Sequence, residues 1–233
     1  MEGKIKFGVC ADLHVSLTVD AEKKLSDFIA ACRKENVDFI IQLGDFVRPD
    51  AEGNVTCKEY SNKENIISMF RDFEKPSFYV IGNHDTDTCS KTEILKYWGW
   101  NRGAYYSFDM NGFHLVVLDA NYMKLDGKFV SYDNGNYYAE SYRPDRVLPY
   151  LSDEQLEWLE EDLKKTEYPS VLFSHQRLKD GNDSILNWRD LEKIILNAPN
   201  RVLMSINGHE HIDHAENVGG SFLSAVRDLR HSH

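Results

Sequence analysis

A chain of 233 residues with 42% hydrophobic and 28% charged residues is long enough for one sizeable α/β domain and too apolar to remain disordered. No stretch approaches the ~18 to 20 uninterrupted apolar residues of a membrane span, and a net charge of −11 works against affinity for duplex nucleic acid, which rests on clustered Lys and Arg. The first apolar run follows Lys6 with no leader-like segment before it, so a cytoplasmic location is expected.

The first predicted element is a strand over Ile5 to Cys10, followed by an amphipathic helix in which Leu25, Phe28, Ile29 and Cys32 recur at helical spacing and which ends near Asn36. Val37 to Leu43 is nearly continuous in apolar residues, as expected of a strand covered on both faces. Ser61-x-x-Glu64 is a capping-box pattern for a helix carrying Ile66, Ile67, Phe70 and Phe73, which Pro76 stops before a strand from Ser77 to Ile81. A helix over 90–98 comes next, then two strands, Ala104 to Asp109 and Phe113 to Leu118, joined by the hairpin signal Asn111-Gly112. Ser152-x-x-Gln155 caps a helix with Leu156, Leu159 and Leu163; a strand over Ser170 to Phe173, a helix around 187–196 and a strand over 201–206 complete the series.

Alternating strands and helices without repeats or a low-complexity linker imply one α/β domain over 1–233. The segment 121–150 interrupts this order. It is rich in tyrosine, has no helical period, and reads as an irregular insert, a lid that presents Tyr137 and Tyr138 to a substrate base while Arg143 or Arg146 reaches a distal phosphate. The competing reading is that the tyrosines only fix the loop to the surface.

Polar clusters follow the C-terminal ends of the predicted strands, where α/β folds build their sites: Asp12 and His14, Asp45, Asn83 with His84 and Asp85, His175, and His209 with His211. Residues i and i+2 of an extended chain face the same side, which pre-arranges Asp12 with His14 and His209 with His211 as chelating pairs. All seven of Asp12, His14, Asp45, Asn83, His175, His209 and His211 offer nitrogen or oxygen, a donor set suited to Mn, Fe, Co, Ni or Zn. If Asp45 bridges, the set can hold two ions ~3.5 to 4 Å apart, a pair that binds phosphate oxygens and makes hydroxide available at neutral pH. The acidic chain would repel a phosphorylated substrate, so an anion site must bring its own positive charge, and cations supply it most densely.

The order Asp12-x-His14, Gly44-Asp45, Gly82-Asn83-His84-Asp85, His175 and Gly208-His209-x-His211 resembles the calcineurin-like metallophosphoesterases over most of the chain. The resemblance implies a four-layer αββα sandwich of two mixed sheets flanked by helices. It also implies one metal, Mn or Fe foremost, on Asp12, His14, Asp45 and His211, a second on Asp45, Asn83, His175 and His209, and His84 as a catalytic residue oriented by Asp85. The activity implied is hydrolysis of a small phosphomonoester, phosphodiester or nucleotide pyrophosphate. Tyr105 to Phe108, Phe113 to Asp119, Leu156 to Leu159 and Phe173 to His175 are similar to the manganese-dependent ADP-ribose/CDP-alcohol diphosphatase branch. Arg48 stands where the family's second motif usually has Asp or Asn, so support for that loop must come from elsewhere.

Two other readings compete: a catalytically inactive interaction module on the same fold, which the complete ligand set opposes, and a small nuclease, which the charge balance opposes. His114 reads as a hydrogen-bonded core residue, and His214, His231 and His233 as solvated. The widely spaced Cys10, Cys32, Cys57 and Cys89 contain no C-x-x-C pair and carry neither a thiolate zinc site nor a dense disulfide framework.

Overall fold

The computed structural model describes residues 3–48, 64–138, 147–181, 183–212, 214–218 and 221–225. Arg143, Arg146, Cys57, Ser61, His231 and His233, with the roles expected of them, lie outside those residues.

Strands β1 (Phe7–Cys10), β2 (Phe39–Gln42) and β3 (Ser77–Tyr79) form a parallel sheet in the order β1-β2-β3. Helices α1 (Ala21–Lys34), α2 (Glu64–Arg71) and α3 (Lys91–Tyr97) cover its outer face. β2 shows why its sequence is apolar throughout: Ile40 packs towards the helices, while Phe39 and Ile41 face the other sheet. Phe39 meets Phe7, Phe78 and Phe173 there, with ring centroids 4.9, 5.4 and 6.4 Å away.

The second sheet is mixed. It contains β4 (Tyr106–Met110), β5 (Phe113–Val117), β9 (Ser170–Ser174), β10 (Val202–Asn207), β11 (His214–Val218) and β12 (Ser221–Ala225), in the order β11-β12-β10-β9-β5-β4. Its outer face is covered by α4 (Asp153–Lys165) and α5 (Trp188–Asn197), through Leu159, Leu163 and Leu191 against Val116 and Leu172. The layers are therefore helix, sheet, sheet, helix, as the resemblance implies. A buried side chain ties the sheets directly: the Tyr106 hydroxyl donates to the Tyr79 carbonyl at 2.9 Å and accepts from the Tyr79 N–H at 3.1 Å.

The turns obey local chemistry. Asn111 and Gly112, between β4 and β5, have φ of 51° and 82°, as a two-residue primed hairpin turn requires. Ser152 caps α4 by accepting from the Gln155 N–H. The Gln155 side chain goes elsewhere, accepting from the Asp119 N–H at 2.8 Å and donating to the Asp119 carbonyl at 2.7 Å.

The expected irregular insert is corrected. β6 (Tyr122–Leu125), β7 (Lys128–Ser131) and β8 (Val147–Tyr150) form a third, antiparallel sheet in the order β7-β6-β8, with its own small core of Met123, Tyr132 and Tyr137. The signal was Asp126-Gly127, whose φ values of 49° and 80° make another two-residue hairpin turn. Short strands with few branched apolar residues hid it.

Candidate metal centre

The parallel strands β1, β2, β3, β9 and β10 all end on one edge of the sandwich, and the polar clusters follow them directly. The loops after β1 and β2 are laced together by backbone bonds: Asp12 N–H to Gly44 O at 3.1 Å, His14 N–H to Asp45 O at 3.0 Å and Val15 N–H to Phe46 O at 2.9 Å. Asp12, His14, Asp45, His209 and His211 have φ of 52°, 44°, 52°, 68° and 55°. The extended geometry expected for the two chelating pairs is thus replaced by left-handed turns. Asp and His tolerate this region better than most side chains, but holding them there costs free energy, so the surrounding loops must enforce it. The glycines permit the close approach. A Cβ on Gly44, itself at φ 95°, would stand 2.6 Å from the Gly82 nitrogen and 2.8 Å from His175 Nδ1; one on Gly208 would stand 2.8 Å from Asp12 Oδ2.

Two groups of ligating atoms result, Asp12 with His14 and His211, and Asp45 with His175 and His209, the atoms within each lying within 4.8 Å of one another. Each carboxylate divides its oxygens in the same way. Asp12 Oδ2 accepts from the His209 N–H at 3.0 Å and Asp45 Oδ1 from the His84 N–H at 2.8 Å, while Asp12 Oδ1 and Asp45 Oδ2 are buried without a hydrogen bond. Those two oxygens face imidazoles: Asp12 Oδ1 is 3.3 Å from His211 Nε2 and 3.8 Å from His14 Nε2, and Asp45 Oδ2 is 3.3 Å from His175 Nε2 and 3.8 Å from His14 Nε2. Asp45 Oδ2 therefore stands between the groups. Asn83 Oδ1 and His209 Nδ1 each lie 3.1 Å from His175 Nε2.

Buried carboxylate oxygens without donors are costly, and cations relieve that cost. The donor set is all nitrogen and oxygen, so the residues present fit divalent metals of the borderline kind. His175 Nδ1 lies 2.8 Å from the Leu43 carbonyl and donates to it, so Nε2 is the nitrogen turned towards Asp45, Asn83 and His209. Burial opposes the charged form of His175, but the Asp45 carboxylate outweighs it and holds the pKa up to about 9. Burial and the neighbouring His175 push His209 the other way, to about 4.

His84 sits at the rim, its ring centroid 5.6 Å from that of His14. The partner the structure gives the ring is Asp87, whose Oδ2 is 2.8 Å from Nδ1, rather than the expected Asp85. The Asp85 carboxylate instead accepts from the N–H groups of Asp45, Val47 and Gly82 at 2.9, 3.0 and 2.9 Å. It supplies the support that Arg48 does not. Burial lowers the His84 pKa, but Asp45 and Asp87 together raise it above the ordinary value. Asp87 was not among the expected site residues; its signal was a carboxylate one turn after His84, at the end of the short 3₁₀ segment His84–Thr86.

Tyr137 and Tyr138 come from the insert, but in different roles. Tyr137 is buried and its hydroxyl donates to Asp87 Oδ1 at 2.5 Å, so it braces the His84 partner. Tyr138 is 41% exposed, stacks on Tyr137 with centroids 4.6 Å apart and places its hydroxyl 3.4 Å from His84 Nδ1. His114, as expected, is a structural residue between Asp109 at 2.7 Å and Asp162 at 2.9 Å. Cys10 and Cys32 are buried free thiols, and Cys89 is buried.

Residues 5–213 match the family model described as calcineurin-like phosphoesterase. A protein of Fibrobacter succinogenes described as a probable cyclic nucleotide phosphodiesterase is 26% identical over 184 residues, 75% of this chain, and the alignment covers 58% of that protein's length. Among solved structures, a dimetal phosphatase from Danio rerio superposes with a TM-score of 0.75 at 17% identity, covering 100% of this chain and 90% of that one. GAP50 of Plasmodium, described as the anchor in the inner membrane complex, superposes with a TM-score of 0.63 at 14% identity over 100% of this chain and 74% of its own. At these identities the structures establish a shared fold.

Proposed function

The chain belongs to the calcineurin-like phosphoesterase family, and from that premise we propose that it hydrolyses phosphate esters with two divalent cations. The observation that carries this reading is the pair of buried oxygens, Asp12 Oδ1 and Asp45 Oδ2, each turned towards imidazole nitrogens without a hydrogen bond. Asp12, His14, Asp45 and His211 would hold one cation, and Asp45, Asn83, His175 and His209 the other, with Asp45 shared. Cations bound there supply Lewis acidity towards phosphate oxygens and lower the pKa of water; Mn or Fe leads the candidates, with Zn, Co and Ni also compatible.

The remaining work belongs to the chain. His84, whose protonated form Asp45 and Asp87 favour, would donate to the leaving oxygen or to a phosphoryl oxygen as negative charge develops. Asp87 and Tyr137 fix that ring, and Asp85 fixes the loop that carries Asp45. Tyr138, exposed beside His84, is the aromatic face on which a nucleobase would stack. The narrower resemblance to ADP-ribose and CDP-alcohol diphosphatases and the description of the Fibrobacter relative both favour a nucleotide substrate.

The test is a substrate panel of p-nitrophenyl phosphate, its bis-ester, cyclic nucleotides, ADP-ribose and CDP-alcohols, each assayed with Mn and with other divalent ions. Metal content is measured in parallel on the wild type and on Asp45→Asn. Turnover of at least one ester, and loss of metal from the variant, is expected. No hydrolysis under any metal, or metal binding unaffected in Asp45→Asn, overturns the reading.

A further inference from the structure

Asn121 lies between β5 and β6 and is fully buried. Its carboxamide is held in one orientation. Nδ2 donates to the Ile81 carbonyl at 2.7 Å and to Asp119 Oδ1 at 2.9 Å, oxygens that accept and do not donate. Lys91, which can only donate, fixes that carboxylate through Asp119 Oδ2 at 2.5 Å and bonds the Asn121 carbonyl at 2.9 Å. Asn121 Oδ1 is thereby turned to Gln176, whose Nε2 donates to it at 2.8 Å. Turning the Asn121 amide over would set acceptor against acceptor on one side and donor against donor on the other.

The two loops that this amide joins both carry proposed ligands. Ile81 stands two residues before Asn83, after β3 of the parallel sheet; Gln176 follows His175 directly, after β9 of the mixed sheet. One buried carboxamide therefore bridges the two sheets beside Asn83 and His175, whose Oδ1 and Nε2 lie 3.1 Å apart. Both belong to the cation site proposed on Asp45, Asn83, His175 and His209. Asp12, His14 and His211 of the other site come from different loops. We infer that Asn121 is a positioning residue for the second cation: it sets the separation of Asn83 from His175, so that donors carried by different sheets reach one ion, and the Lys91–Asp119 pair anchors it. The inference rests on the two-cation reading above and gives Asn121 no contact with the ion or the substrate.

Calorimetric titration of the metal-free protein with Mn tests it in two backgrounds. His211→Ala removes a ligand of the first site and leaves the second complete; His209→Ala does the converse. Asn121→Leu, close in volume but unable to make the three side-chain bonds, is introduced into each. It should weaken Mn binding about 10- to 100-fold in the His211→Ala background, as loss of a ligand's supporting partner does, and by less than about twofold in the His209→Ala background, as for a site that shares no partner with it. Equal weakening in both backgrounds, the result of a general loss of structure, overturns the inference, and so does unchanged affinity in both. Should Asn121→Leu fail to fold, Gln176→Met decides, since it removes one arm of the bridge. A loss of roughly three- to tenfold confined to the His211→Ala background is then expected, and any other pattern overturns the inference. A chain without these substitutions that binds fewer than two Mn ions brings down the two-cation reading and this inference with it; if it binds two and Asn121→Leu leaves both backgrounds unaltered, only this inference falls.

Discussion

His84 and His114 show how the same side chain is given opposite work by its neighbours. His84 faces the candidate metal-ligating cluster from the rim, and its removal should take away proton donation while leaving the proposed ligands intact. His84→Ala is expected to lower kcat roughly 10²- to 10⁴-fold with metal stoichiometry unchanged; Asp87→Asn should lower it less. Retained turnover, or loss of metal from His84→Ala, counts against the assigned role. His114 is far from that chemistry. Burial disfavours its charged form, yet Asp162 and Asp109 outweigh burial and raise its pKa above 6.5. A raised pKa in the folded state means that the protonated form stabilises the fold. That contribution is complete below the unfolded value of about 6.5 and is lost as pH rises through the folded value. His114→Gln should therefore cost most at mildly acidic pH, about 1.5–3 kcal/mol for hydrogen bonds to a charged group, and progressively less in alkali. Urea titrations of both proteins across pH 5.5–9 would expose a difference of the wrong sign.

The elements matter to the site chiefly through their ends. β1, β2 and β3 are short, of four, four and three residues, and each hands its chain to a tight loop before a ligand appears. Gly44 makes the tightest of these possible, since it combines a positive φ with close contact to Gly82 and to His175. Gly44→Ala should destabilise the fold by more than about 1 kcal/mol and reduce metal occupancy, read by thermal unfolding and elemental analysis. Full occupancy at an unchanged Tm would show that the loop yields without effect. The third sheet contributes in another way: its Tyr137 reaches back to Asp87, so an element remote from the strand ends fixes the geometry of the His84 ring.

For the molecule as a whole, the candidate metal centre lies where the two sheets meet at one edge, with Asp12, His14, Asp45 and Asn83 brought by the parallel sheet and His175, His209 and His211 by the mixed one. Cations there would cross-link both halves of the sandwich as well as serve the reaction. Treatment with a chelator should abolish ester hydrolysis and lower the Tm while far-ultraviolet circular dichroism persists, because the three large apolar clusters are independent of the ligands. Unchanged activity after exhaustive chelation is the contrary result. Among the described residues no helix is long and apolar enough to cross a membrane.

Much of this was legible in the chain itself. Periodicity located the principal helices and strands, since burying one face of a helix or both faces of a central strand dictates the spacing of apolar residues. Polar residues at strand ends marked the residues that the fold brings together into two groups of potential ligands, because histidines and carboxylates directly after apolar runs recur at one edge of the sheets. Contacts between residues distant in sequence had no such local mark. That His84 leans on Asp87 and Tyr137, that Asp85 turns inward to hold three backbone N–H groups, that left-handed turns rather than extended pairs aim the ligands, and that Lys91 sets the orientation of Gln176 all depend on where separate loops come to rest. Those positions follow from packing the two sheets face to face, and hydrogen-bond partners are chosen only once that packing has brought them within about 3 Å of each other.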